Sequence, residues 1–267
     1  MTKAKTTAKK HATAYIATVF ADRLREAGFV CPNSDLLCWY RKRSNEIVNS
    51  IIFCSSWSDL PLFLEINYGI FPTFAQPIRL NGVVNNHTYD EELFTHRPIV
   101  ENHPGGGCRM AYSEDIEVFA PREDGRGLYS LEKLLLPHMD RIQSIEEAYA
   151  FHKERRLNCN SSDKRPEYRL GVLSRSFIDM ALWVDDTEMY DLALYWADDR
   201  AYLYESLAVH NPKRQQYAQE RKAWDRLFEV LETNDRDRYI AELKGRMEQN
   251  AKVLQQKYLK GVCGCNQ

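Results

Sequence analysis

The spacing of apolar residues changes period partway along the chain, from two in the front to about three and a half in the back, and this limits the fold more than any other feature. A period of two puts alternate side chains on opposite faces of a strand, whereas a period near 3.6 lines one side of a helix. In the front, Leu36 to Arg41, Ile47 to Ser55 and Leu62 to Ile70 are short and rich in β-branched and aromatic residues, with Asn33-Ser34, Ser44-Asn45 and Ser58-Asp59 plus Pro61 as turn signals. They read as consecutive antiparallel strands. In the middle one, Ile47, Asn49, Ile51 and Phe53 alternate with Val48, Ser50, Ile52 and Cys54, so neither face is fully polar. That pattern fits a sheet covered by a helix. Ala12 to Ala27 supplies one, with Tyr15, Ile16, Val19, Phe20 and Leu24 at helical spacing and Gly28 placed to end it in a left-handed conformation.

From Phe71 to Arg126, prolines and the triplet Gly105-Gly106-Gly107 predict long loops with short strands near Pro77 to Leu80, Arg109 to Tyr112 and Ile116 to Phe119. Helices return after Gly127. Leu128 to Met139 is apolar on one side, and Ser144 with Glu147 forms a capping box that opens a helix through Tyr149 and Phe151. The charged run from Lys153 to Pro166 reads as a solvated linker. Beyond it, Asp185 with Glu188 is expected to cap a helix whose buried face is Met189, Leu192, Trp196, Leu203 and Leu207. Asn211-Pro212 is expected to open a second helix carrying Tyr217, Trp224, Leu227, Phe228 and Leu231. Asn234 is expected to open a third, with Ile240, Leu243, Met247, Ala251, Leu254 and Tyr258 on one side and Gly261 near its stop. The expected fold class is therefore α+β: an N-terminal antiparallel sheet packed by helices over residues 1–155, an all-α antiparallel helical bundle over 167–260, and a flexible tail over 261–267.

The charge balance of 36 basic against 38 acidic side chains, net -2, provides no overall basic field for a polyanion, so nucleic acid is not an expected partner. The longest apolar runs, such as Ile51 to Cys54 and Leu134 to Leu136, are too short to cross a bilayer. The N-terminal lysines lead into a helix holding Asp22, Arg23, Arg25 and Glu26 and not into the uncharged stretch of a signal peptide. Seven cysteines without a regular framework read as free thiols, and a cytoplasmic location is expected.

Candidate chemistry concentrates in the loops. His87, His96, His103 and Cys108, interspersed with Asp90, Glu91, Glu92 and Glu101, are the side chains a divalent metal would need, although their spacing matches no zinc signature. Cys108 and His103 are also the nearest thiol and imidazole pair for nucleophilic catalysis. Against both stands the plain reading of loop residues. The triple glycine lacks the spacing of a dinucleotide or phosphate-binding loop and reads as a turn. Cys263 and Cys265 at the tail offer two ligands only. No catalytic residue is assigned and no cofactor is predicted, a divalent metal being the alternative. In the helical half, aromatic residues outnumber what one helix face buries, and Trp183, Tyr190, Trp196, Tyr202 and Trp224 are the candidate interface anchors.

Gly28-Phe29, Trp39-Tyr40-Arg41, Val48-Asn49 through Phe53, and Asn67-Tyr68-Gly69 follow one another in a recognisable layout. Over the first third of the chain this resembles a group of uncharacterised bacterial proteins known as a domain of unknown function. The resemblance implies an α+β fold and a bacterial cytoplasmic setting, transfers no catalytic residue, and points to a binding role, since some such proteins sit beside toxin systems as inhibitors. The expected function is a non-catalytic protein-binding factor of the immunity or regulatory kind. The alternatives are a metal-dependent or thiol hydrolase built on the loop histidines, and a homo-oligomeric structural protein paired through the last helix.

Overall fold

The computed structural model describes residues 3–31, 36–55, 63–75, 95–96, 109–113, 118–121, 128, 130–159 and 173–257. The chain is α+β, with a sheet in its front part and helices behind it. It divides into two compact units, one of residues 1–143 with 249–267 and one of residues 144–248.

The first unit opens with helices α1 (Lys3–Val19) and α2 (Ala21–Glu26), so the helix begins earlier than its apolar spacing suggests and breaks at Phe20. Ala12, Ile16, Phe20 and Leu24, four residues apart, are all buried. α2 ends as expected: Gly28 adopts φ of +83°, and the Phe29 amide reaches the Leu24 carbonyl at 2.9 Å while the Gly28 amide reaches Arg25 at 2.9 Å. This pair of bonds satisfies carbonyls that the helix end would otherwise leave open. Strands β1 (Cys38–Lys42), β2 (Ile47–Ser55) and β3 (Phe63–Pro72) follow in antiparallel order.

Among the described residues, β3 also carries β4 (Thr95–His96) beside Tyr68 and Gly69, and β5 (Arg109–Ser113) beside its first residues. β6 (Val118–Pro121) pairs with β5. The candidate strand at 77–80 lies outside the described residues. Register puts Trp39, Ile51 and Tyr68 in one row and Arg41, Asn49 and Ile70 in the next, on the same face of the sheet. Phe53 of this face meets Phe20, their rings 5.1 Å apart, so this is the face that the early helices cover. The other face is closed too: Val48, Ser50 and Ile52 are buried.

A π-helical turn at Ser130–Leu135 runs into α3 (Leu136–Arg141), where the expectation was one regular helix. Pro137 in the first turn of α3 has no amide to donate, which separates the two ladders. α3 is tied to the sheet by Arg41, which donates to Asp140 at 2.7 Å and to the Ala27 carbonyl at 3.0 Å and lies over the Phe29 ring. Burial lowers the Arg41 pKa from its ordinary value, and the Asp140 carboxylate counteracts that shift.

The second unit opens on the expected capping box, with Ser144 Oγ accepting from the Glu147 amide and Glu147 accepting from the Ser144 amide, both at 3.2 Å. It starts α4 (Ile145–Cys159), so residues 153–159 continue a helix where a linker was expected; 160–172 lie outside the described residues. α5 (Arg175–Trp183), capped by Ser174, is a helix that periodicity does not reveal, because every residue from Arg175 to Leu182 is buried and no solvent stripe marks it. A 3-10 turn (Thr187–Met189) precedes α6 (Tyr190–His210), followed by α7 (Gln215–Thr233) and α8 (Arg236–Lys257). The boundary between the units crosses α8 after Glu248.

Three expected helix starts are corrected. Asp185 has φ of +60° and closes α5, with the Asp186 amide on the Ala181 carbonyl at 3.0 Å and its own amide on Leu182 at 3.3 Å. Asn234, with φ of +54°, closes α7, the Asp235 amide reaching Val230 at 3.2 Å. Asn211 ends α6, and α7 begins only at Gln215, past Pro212. Asp and Asn serve helix starts through their side chains and helix ends through their tolerance of the left-handed region, so residue type alone does not distinguish the two.

Candidate functional site

α6 and α7 form a helical hairpin, and the two sides of α6 are unlike. Ala193, Trp196 and Ala197 are buried, and Leu192, Leu203 and Leu207 lie partly covered on the expected inner side. On the outer side Tyr195, Tyr202 and Val209 are 44%, 74% and 71% exposed, and they are the large hydrophobic side chains that stand exposed among the described residues. They are spaced seven apart. Seven residues are close to two helical turns, so the three form a nearly straight stripe that drifts by only about 20° per step. Scattered exposed apolar residues are ordinary on a protein surface, but an aligned row along one helix has the geometry of a packing seam.

The stripe is bordered by charge. Asp191, Asp198 and Asp199 are exposed on the same helix, and the one arginine of α6, Arg200, folds over the Trp196 ring at 5.3 Å and reaches Asp199 at 3.6 Å. Glu205 is held by Arg221 of α7 at 2.9 Å. Just past the end of α6, Lys213 and Arg214 are exposed. The outer surface of the hairpin is therefore acidic toward the start of α6 and basic at the turn into α7.

Of the five expected anchors, Trp196 and Trp224 are corrected: at 2% and 3% exposure they belong to the core of the second unit, where a docking partner does not reach them. Trp183 is half-buried and donates from Nε1 to Glu146 at 3.1 Å. Tyr190, also partly exposed, donates to Asp185 at 2.8 Å; burial first and then that carboxylate push its pKa up to about 12. Tyr202 is the exposed member. Tyr195 and Val209 stand beside it on the outer side of α6, and the signal that aligns the three is their seven-residue spacing.

Of the loop ligands, His87, His103 and Cys108 lie outside the described residues, as do Gly105-Gly106-Gly107, Cys263 and Cys265; His96 pairs through its backbone with Tyr68. Among the described residues no group of three or more His, Cys, Asp or Glu side chains is placed to hold a metal, and no helix is long and apolar enough to cross a membrane.

Two further polar clusters lie within the second unit. In the second unit, Asp179 of α5, fully buried, accepts from the Tyr239 hydroxyl at 2.7 Å and from Arg246 at 3.3 Å, while Arg175 pairs with Glu220 at 3.1 Å. Burial, then the Asp179 charge, raises the Tyr239 pKa well above its ordinary value. Nearby in sequence, Asp186 accepts from Tyr149 at 2.7 Å and from Lys153; burial alone would raise its pKa, but these donors outweigh it and hold it low. These contacts tie α5 to α7 and α8, and α4 to the turn that follows α5. Comparison with models of protein families, with curated proteins and with solved structures finds no match to this chain.

Proposed function

We propose that the chain is a non-catalytic protein-binding factor that docks its partner along the outer side of α6. The observation that carries this reading is the straight row of Tyr195, Tyr202 and Val209, exposed on a helix whose other side already fills a core. Two tyrosines supply large contact area with few rotatable bonds, the residue type that dominates binding hot spots. Exposed carboxylates on either side give such a face a polar rim. The first-third resemblance, some small α+β proteins of that kind sitting beside toxin systems as inhibitors, supports a binding role in the same direction.

The test is site-specific photocrosslinking in cells, with a benzophenone side chain in place of Tyr202 and, as control, in place of the exposed Gln219 on α7. A protein adduct from position 202 and none from 219 is expected. Irradiation that yields no adduct at 202, with the protein folded and expressed, overturns the assignment.

A further inference from the structure

The row on α6 has a symmetry that bears on who the partner is. Tyr195 and Val209 are equally distant from Tyr202, seven positions on either side. Two copies of α6 laid antiparallel, with a two-fold axis at Tyr202, therefore stack Tyr202 on its own counterpart and Tyr195 of each copy on Val209 of the other. A two-fold contact demands this kind of self-complementarity, because each residue meets the residue that meets it in return. Apolar content alone would fit many partners. Charge narrows the choice: Asp191 and Lys213 are both exposed, neither has an ion-pair partner among the described residues, and each lies eleven positions from Tyr202 on opposite sides. In the antiparallel pair the acidic start of one α6 faces the basic turn of the other.

We infer that the outer side of α6 binds a second copy of this chain, as an antiparallel two-fold dimer centred on Tyr202. This rests on the docking role proposed above and names the occupant. The same register sets Asp199 against Glu205 of the other copy, and that like-charge meeting is relieved within each chain by Arg200 and Arg221. Asp198 falls opposite Ser206. The seam is short, a single helix pair with three apolar layers, so its area is at the low end of specific interfaces, on the order of 1,000 Å². A reversible dimer that dissociates on dilution is the expected form.

Sedimentation velocity of the full chain over a wide concentration range is the experiment, with far-UV circular dichroism to show that each variant is folded. The native chain is expected to shift from monomer to dimer with concentration. Tyr202→Arg, which sets two cations face to face on the axis, is expected to remain monomeric at the highest concentration. Asp191→Lys alone and Lys213→Asp alone each weaken the dimer, by about tenfold for the two symmetric rim pairs. The double exchange of both residues restores it, and this rescue depends on the register proposed. A dimer untouched by Tyr202→Arg, or single exchanges that the double exchange does not rescue, overturns the proposal. A chain monomeric throughout whose benzophenone at 202 captures a different protein also overturns it, while leaving α6 as a docking face. No adduct with any protein, self included, removes the docking role itself.

Discussion

Asp179→Ala removes the carboxylate at the centre of the second unit. Asp179 is fully buried on α5 and accepts from Tyr239 at 2.7 Å and from Arg246 at 3.3 Å, and Arg246 also donates to the Tyr239 hydroxyl at 3.1 Å. Both partners come from α8, so the cluster is a tether between two helices far apart in sequence. In the alanine variant the Arg246 guanidinium keeps its charge at a mostly buried position without a carboxylate, and the Tyr239 hydroxyl loses its acceptor. Breaking a buried pair from one side costs about 3–5 kcal/mol. With a urea dependence of about 1–3 kcal/mol/M for a unit of this size, the unfolding midpoint falls by roughly 1–5 M. Tyr239→Phe removes the hydroxyl's bond to the Asp179 carboxylate and the bond it accepts from Arg246, each to a charged group and worth about 1.5–3 kcal/mol. Because both changes strike one network, the double variant should lose less than the sum of the two, by about 1 kcal/mol or more. The assay is equilibrium urea unfolding followed by tryptophan fluorescence, which Trp183, Trp196 and Trp224 report from within the second unit. A midpoint shift below about 0.3 M for Asp179→Ala, or strict additivity in the cycle, would refute the claim that this buried cluster holds the helices together.

Alkaline stability tests the same region by another route. Tyr149, Tyr190 and Tyr239 all have raised pKa values, Tyr190 to about 12, first through burial and then through carboxylate neighbours. An unfolded tyrosine titrates at 10.0, so these groups contribute stability that is complete below pH 10 and is lost as pH rises through their folded values. Urea midpoints should therefore decline above pH 10, and Tyr239→Phe should flatten that decline; a pH-independent midpoint to pH 12 contradicts it. In the first unit, a Cβ at Gly69 would lie 2.3 Å from Phe71 Cε2 and 2.7 Å from Ser50 Oγ. Gly69→Ala should cost about 1–3 kcal/mol in thermal or urea unfolding, less in a Phe71→Leu background, and an unchanged midpoint would show that the ring moves away freely. Asn49 is fully buried and, among the described residues, neither atom of its carboxamide has a hydrogen-bond partner, a state that costs about 1–3 kcal/mol. Asn49→Leu should hold or raise stability by about 1 kcal/mol, and a loss larger than that would mean the amide is engaged by bound water.

Much of this architecture is legible in the chain because it is local. The alternation through Ile47 to Ser55, the four-residue spacing of Ala12, Ile16, Phe20 and Leu24, the glycine after α2 and the Ser144-Glu147 cap each involve neighbours within a turn or a strand, where the chemistry of a few residues decides the outcome. The seven-residue row on α6 is also written there, since Tyr195, Tyr202 and Val209 need only a helix to line up. What periodicity does not carry is α5, buried on every side, and the direction in which Asp185 and Asn234 act at helix ends.

Tertiary structure alone decided which aromatics face inward. Trp196 and Tyr195 are adjacent in sequence, yet one fills the core at 2% exposure and the other is 44% exposed, because only the placement of α7 against α6 determines which side of the helix is covered. It also brought Asp179 to Tyr239 and Arg41 to Asp140 across sixty and ninety-nine residues. The physical reason is one of range. Secondary structure answers to contacts a few residues apart, whereas burial, and with it the environment of every charge, is set by segments whose meeting no local pattern encodes.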